Sequence, residues 1–221
     1  MDGIIAAIYD NELDKVQELL GKNNGLAISV FKEDTPFEGK IIHWLYSGDT
    51  VLHLAAAGHR KDIIESLISN GADPNSSNSR RRSTPLHYAC DGVVHDPVWN
   101  AQLQVGSVKA LIESGAELDA QDSNGATPLH RAVRARCAGV VEFLLEKGAN
   151  PEVRNKSGST AFHLAVQNTG RGGTGLDSVK NLQRNIILSF IEANVSPDLK
   201  DAKGRSVSDS AKSDWVKELL R

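Results

Sequence analysis

"STPLHYAC" (residues 83–90) decides the fold, because the same phrase returns with altered middles as "DTVLHLAA" (49–56), "ATPLHRAV" (126–133) and "STAFHLAV" (159–166). Aligned on Thr50, Thr84, Thr127 and Thr160, with a degenerate copy at Ser206, the spacings run 34, 43, 33 and 46. A second anchor explains the unevenness. Each copy closes on Gly71, Gly115, Gly148 or the weaker Asn194, and from that residue to the next Thr or Ser the distance is 13, 12, 12 and 12. The extra length therefore lies inside two of the copies. Self-similarity near 33 residues implies a stacked architecture, since one such unit cannot bury its apolar face alone.

The phrase has its own local chemistry. Thr84 and Thr127 suit a helix N-cap, and Pro85 and Pro128 suit the first helical position, where the missing N–H costs nothing. Leu86 and Ala89, like Leu129 and Ala132, then recur at the i, i+3 spacing of a short buried face. In "VVEFLLEKGAN" (140–150), Val140, Val141, Leu144 and Leu145 make a second, amphipathic helix, and Gly148 suits a left-handed C-terminal cap.

With T-P-L-H-x-A, a second apolar helix and a polar turn at this period, the chain resembles ankyrin repeats over nearly its whole length. The resemblance implies an all-α repeat solenoid of about six helix-turn-helix units with hairpin fingers. The units expected are 1–48, an N-terminal cap with a long finger; 49–82; 83–125, with an insertion at 91–106; 126–158; 159–204, with a Gly-rich insertion at 168–181; and 205–221, a C-terminal cap. It further implies that His53, His87, His130 and His163 form a structural ladder, each tying its turn to the adjoining repeat. They recur once per repeat without a recurring Cys, Asp or Glu partner, so neither a metal nor a catalytic role is assigned to them. Asn75, on a finger with Leu67 eight residues before it, resembles the substrate position of an asparagine hydroxylase.

Composition narrows the function classes. Lys and Arg number 25 against 28 Asp and Glu, a net charge of -3, so any charge-driven binding is local and no global excess points to nucleic acid or membrane. Cys90 and Cys137 lack metal spacing and read as reduced thiols of an intracellular protein. The opening "MDGIIAAIYDNELDKVQELL" has no basic n-region and breaks its apolar run at Tyr9, which excludes a signal peptide or membrane span there. The expected compartment is the cytoplasm, or the nucleus as well in a eukaryote, and the expected state is a monomer.

Three stretches depart from the bare repeat. Residues 24–47 suggest a hairpin around Thr35-Pro36, with Phe31, Trp44 and Tyr46 either packed or offered to a partner. In 91–106, Asp96-Pro97 suggests that the second helix of that unit begins early and runs through Ser114. "GRGGTG" (170–175) lacks the Lys-Ser/Thr of a phosphate loop and reads as a linker, with Asp177 starting the next helix.

These features point to a non-enzymatic module that grips a protein partner along its concave finger and first-helix face. No catalytic, cofactor or metal residues are assigned. The expected partner contacts are Arg80, Arg81 and Arg82 at one finger tip, Arg131, Arg134 and Arg136 in the next unit, Arg154 and Lys156 on the following finger, and the aromatic Tyr88, Trp99 and Trp44. Residues 1–70 carry 11 acidic against 6 basic side chains, so the arginines would form a basic middle suited to an acidic segment. Aromatics are not interleaved with the arginines as nucleic-acid stacking would require. The alternatives are a reader of phosphorylated or other anionic ligands and, less favoured, an enzyme using the inserted loops near His95 and Asp96.

Overall fold

A computed structural model describes residues 1–92, 100–167 and 177–221. Within these, helices come in successive pairs: α1 (Asp2–Asp10) and α2 (Leu13–Lys22), α3 (Val51–Ala57) and α4 (Lys61–Ser69), α5 (Pro85–Cys90) and α6 (Ala101–Glu113), α7 (Pro128–Ala135) and α8 (Ala138–Glu146), α9 (Ala161–Ala165) and α10 (Asp177–Glu192), α11 (Val207–Ser210) and α12 (Asp214–Leu219). The first members stack as one row, α1 on α3 and onward through α5, α7, α9 and α11, while α2, α4, α6, α8 and α10 form a second row behind it. This is a helical repeat fold. Leu52, Leu86, Leu129 and Phe162 sit buried at matching places in the first row, as do Leu67, Leu111, Leu144 and Phe190 in the second. Among the described residues, no helix is long and apolar enough to cross a membrane.

The first-row helices begin where the motif chemistry demands. At Thr50, Thr84 and Thr127 a reciprocal capping box closes, with the motif histidine at N3 in the place usually held by Glu or Gln. His87 Nδ1, for example, accepts the Thr84 backbone N–H at 3.1 Å. At Ser206 the same box is completed by Asp209. Since Nδ1 is the acceptor, the proton resides on Nε2, which donates to a carbonyl of the next copy: Ser83 (3.1 Å), Ala126 (2.9 Å), Ser159 (3.1 Å) and Arg205 (3.0 Å) for His53, His87, His130 and His163. Each acceptor immediately precedes the next Thr or Ser cap.

The polar turns between units repeat as well. Asp122, Asn155 and Asp201 each accept two backbone N–H groups, from residues two and four further on. Gly125, Gly158 and Gly204 supply the positive φ that closes the turn. Neighbouring turns then join through Lys156 N–H to the Asn124 carbonyl (2.8 Å) and Ala202 N–H to the Gly158 carbonyl (2.9 Å). The closing residues Gly71, Gly115, Gly148 and Asn194 all have positive φ, so Asn194 adopts the glycine-like conformation at the cost of its Cβ.

One expected boundary shifts and another holds. The helix expected to start at Asp96-Pro97 is α6, capped by Asn100, whose side chain accepts from the N–H groups of Gln102 and Leu103; Asp96 and Pro97 lie outside the described residues. Positions 101–106 of the insertion are the first turns of α6, in keeping with a second helix that begins early and reaches Ser114, and buried Gln104 donates from them to the carbonyls of Ala89 (3.1 Å) and Asp91 (3.2 Å). Helix α10 does begin at Asp177, while the glycine stretch before it lies outside the described residues.

Two tests follow from this packing. Leu129→Ala or Leu144→Ala should cost about 2–5 kcal/mol in denaturant unfolding, because each leaves a cavity in a fully buried layer. Truncating the exposed Leu103 should stay within about 0.5 kcal/mol, and equal losses at all three would contradict the layer assignment.

Burial also lowers the pKa of His53, His87 and His130, that of His87 to about 4. The folded state then favours the neutral ring. Its stabilisation is complete above the ordinary imidazole value of 6.5, and is lost as pH falls from there through the folded values. Unfolding free energy should therefore drop between about pH 6.5 and 4.5, with a shallower drop in His130→Ala, which at neutral pH is itself destabilised by about 1–3 kcal/mol. A flat profile through that window would contradict buried neutral histidines.

Candidate interaction surface

Residues 24–47 build one wall of the candidate site. Asn23 caps a short 3-10 turn over Asn24–Ile28, and two strands follow, β1 (Thr35–Phe37) and β2 (His43–Leu45), paired antiparallel with Pro36 opposite Trp44. Because Pro36 has no N–H, that pair is the non-hydrogen-bonded one, and the hairpin is held by its flanking pairs. Alternation then places Pro36 and Trp44 on the outer, exposed side, with Trp44 54% exposed.

The inner side packs inward. Leu45 is buried, and Phe37 lies 6.0 Å from both Phe31 and Tyr9. Buried Ile41 fills the space over Gly58, where a Cβ would come within 2.7 Å of it. Lys40 pairs with Asp10 at 2.7 Å, and the Tyr9 hydroxyl donates to the Glu38 carbonyl. At the far strand, the His43 ring stacks 4.5 Å from that of Tyr88 and its Nε2 lies 3.4 Å from Asp91. The long first finger thus lies across α1, α3 and α5.

Asp49, fully buried, anchors its base. It accepts from the Tyr88 hydroxyl, from Asn78 and from the Tyr46 N–H. Tyr88, expected to face a partner, is instead buried with its hydroxyl committed to this carboxylate.

The expected arginine patch divides in the structure. Arg80 pairs with Asp34 of the hairpin at 3.0 Å, and the Arg81 guanidinium stacks 3.9 Å over the Tyr46 ring. Arg82 is exposed and takes a positive φ at the place where the other turns use glycine, which is how this finger carries its additional residue. Arg154 donates from Nε and Nη2 to the Lys200 carbonyl and so joins two fingers. Arg136 occupies the left-handed C-cap of α7. Arg134 and Lys156 are exposed, and the side chains of Arg82, Arg134 and Lys156 have no ion-pair partner among the described residues. Trp99 lies outside those residues, as do His95 and Asp96. Asn75 bridges to the next unit, donating to the Gly115 carbonyl and accepting the Glu117 N–H.

Arg131 is the largest correction. Expected in the groove, it is 9% exposed at its side chain, with Nη1 on Asp91 (2.6 Å) and Nη2 on Asp122 (2.8 Å) and Ser83 (2.9 Å). Burial alone would raise the pKa of Asp122, but the hydrogen bonds from Arg131 and two backbone N–H groups outweigh it and hold the carboxylate below its usual range. The signal in the sequence was Asp122 itself, opening the Asp-x-x-Gly turn just before T-P-L-H; Asp49 and Asp91 had no comparable marker. Between the hairpin and helices α5 and α7 run two adjoining cavities of about 320 and 260 Å³, both bounded by His43 and Asp91. Among the described residues, no group of three or more His, Cys, Asp or Glu is placed to hold a metal ion.

Removing Arg131 would strand two carboxylates. Arg131→Met should lower stability by about 3–5 kcal/mol in denaturant unfolding, whereas an arginine serving only as a surface contact would change it by less than about 0.5 kcal/mol.

Comparison with known proteins agrees with this architecture. The family model for ankyrin repeats (3 copies) matches residues 4–96 and 98–205. Ankyrin repeat domain-containing protein 53 of Macaca fascicularis is 35% identical over 89 residues, 40% of this chain and 17% of that protein. NF-kappa-B inhibitor delta of Mus musculus is 36% identical over 98 residues, 43% of this chain and 27% of the inhibitor. The Neurogenic locus Notch protein of Drosophila melanogaster is 33% identical over 78 residues, 35% of this chain and 2% of Notch. The chain spans less than a third of each of these relatives. Matched over most of its length by the repeat model, and built as stacked helix pairs joined by motif histidines, the chain belongs to the ankyrin-repeat family.

Proposed function

We propose that the chain is a non-enzymatic interaction module that holds an acidic segment of a protein partner along its concave finger and first-helix face. Ankyrin repeats are generally protein-interaction modules, and a relative named as an inhibitor of NF-kappa-B acts on a protein target. The observation that carries the finer reading is the trough between the hairpin and helices α5 and α7. One end is formed by Trp44, Tyr46 and Arg81, the exposed Arg82 adjoins it in sequence, and Arg134 bounds the other end. An aromatic anchor beside unneutralised arginines suits a segment that brings apolar and acidic side chains together. The same reading divides the chain into six units, with α1–α2 and α11–α12 as caps that shield the ends of the stack.

Peptides selected from a random displayed library against the folded chain test this directly. The selected sequences should be rich in Asp and Glu, and should lose about tenfold or more in affinity when Trp44→Ala or Arg82→Glu is introduced, with the thermal midpoint unchanged. Selection of neutral or basic peptides, or affinity indifferent to both substitutions, would place the partner elsewhere.

A further inference from the structure

The cavity of about 320 Å³ lies at the helix end of the trough, away from the finger tips, where the hairpin turn meets the end of α3, the start of α6 and the end of α7. Its size is at the lower limit for ligand pockets, about 300–1,000 Å³, which is room for one or two side chains rather than a large cofactor. Its walls come from segments far apart in sequence. Ile42 of the hairpin turn and Leu103 of α6 both bound it, and both are large aliphatic side chains left exposed, 46% and 52%. Exposed aliphatics from two separate elements on one small cavity are an unfilled apolar contact.

Two donors at the same cavity lack an acceptor among the described residues, the Arg134 guanidinium and the Nε of Arg60. Arg134 has no ion-pair partner among the described residues. Arg60 reaches the Tyr9 carbonyl with Nη2 at 3.5 Å, while its Nε is buried with no acceptor. A buried donor left unpaired costs free energy that an incoming acceptor restores. Lys40 is already held by Asp10. The carboxylate present, Asp91, is engaged by Arg131 and His43, so it does not neutralise Arg134. Among the described residues, none supplies the cavity with a free anionic acceptor beside an aliphatic group. It also adjoins the second cavity through His43 and Asp91, so an occupant can continue along the trough.

We infer that this cavity receives one carboxylate side chain together with a neighbouring aliphatic side chain of the partner's acidic segment, the carboxylate meeting Arg134 and Arg60 and the aliphatic group closing between Ile42 and Leu103. The inference rests on the acidic-partner reading above and specifies where that segment is anchored. It adds a local requirement to the partner: an aliphatic residue beside an acid, rather than acidic character alone.

Methyl-group NMR of the full chain with acetyl-Leu-Glu-amide at millimolar concentrations tests it. The expected result is movement of the Ile42 and Leu103 methyl signals, at least about tenfold weaker binding of acetyl-Leu-Gln-amide and acetyl-Gly-Glu-amide, and a similar loss in Arg134→Gln and in Leu103→Ser. Both residues are exposed, and an unchanged thermal midpoint in each variant confirms that the fold is intact. Unmoved Ile42 and Leu103 signals, equal binding of the three peptides, or binding indifferent to Arg134→Gln overturns the inference. The longer selected peptides separate the two readings. If they lose affinity with Trp44→Ala but not with Arg134→Gln or Leu103→Ser, the acidic trough stands and the anchoring cavity falls; if Trp44→Ala and Arg82→Glu also leave them unaffected, both fall.

Discussion

Each of the four units that carry the motif histidine is joined to the next by a single imidazole hydrogen-bonded at both ends. Nδ1 faces the cap of its own helix, and Nε2 donates to the carbonyl just before the next cap. A helix of only five to eight residues is far too short to hold itself in water. Its start is therefore fixed from outside, by a ring that has a definite tautomer only when both bonds are made. The next helix begins one residue after the acceptor carbonyl, so the position of one cap sets the position of its neighbour. Apolar burial supplies most of the stabilising free energy, and the histidines set the register in which that burial takes place.

This arrangement explains why charged side chains sit so deeply in the first-helix row. Stacking the caps brings Asp49, Asp91 and Asp122 near the same face, where a bare carboxylate would be costly. The chain answers with Tyr88 and Asn78 at the first, and with Arg131 between the other two. Arg131 is thus held by the frame, and its charge is offset by its two acids. The hairpin in turn rests on this frame through His43, Tyr88 and Asp91. What remains open to a partner is the edge left by that packing: the outward Trp44, and arginines that have no ion-pair partner among the described residues.

The sequence showed the frame more clearly than the surface, for a physical reason. A cap, a proline at N1, a histidine at N3 and a closing glycine are local requirements and recur wherever the same joint is built. Thr84, Pro85, His87 and Gly115 could be identified without knowing their neighbours. Whether an arginine is free depends on which carboxylate the fold brings to it, and Arg131 meets Asp91 across forty positions of chain. Arg80 and Arg81 likewise met Asp34 and Tyr46 of a hairpin whose strands were legible but whose resting place was not. The helix start at Asn100 was missed because an Asp-Pro pair upstream offered an equally good cap by local rules alone. Asp122, like buried Asp201 with Arg205, sits in a turn pattern that could have warned that a nearby cation would be claimed.

The claim on which the rest depends is that the motif imidazoles are neutral, singly protonated joints and take no part in binding. A long-range proton–nitrogen correlation spectrum of the histidine rings at neutral pH measures this most directly, recorded with and without a bound acidic peptide. The account predicts that His53, His87 and His130 each carry their proton on Nε2 with Nδ1 bare, and that none of the three changes when peptide is added. Rings protonated on both nitrogens, or ring signals that move on binding, would contradict it.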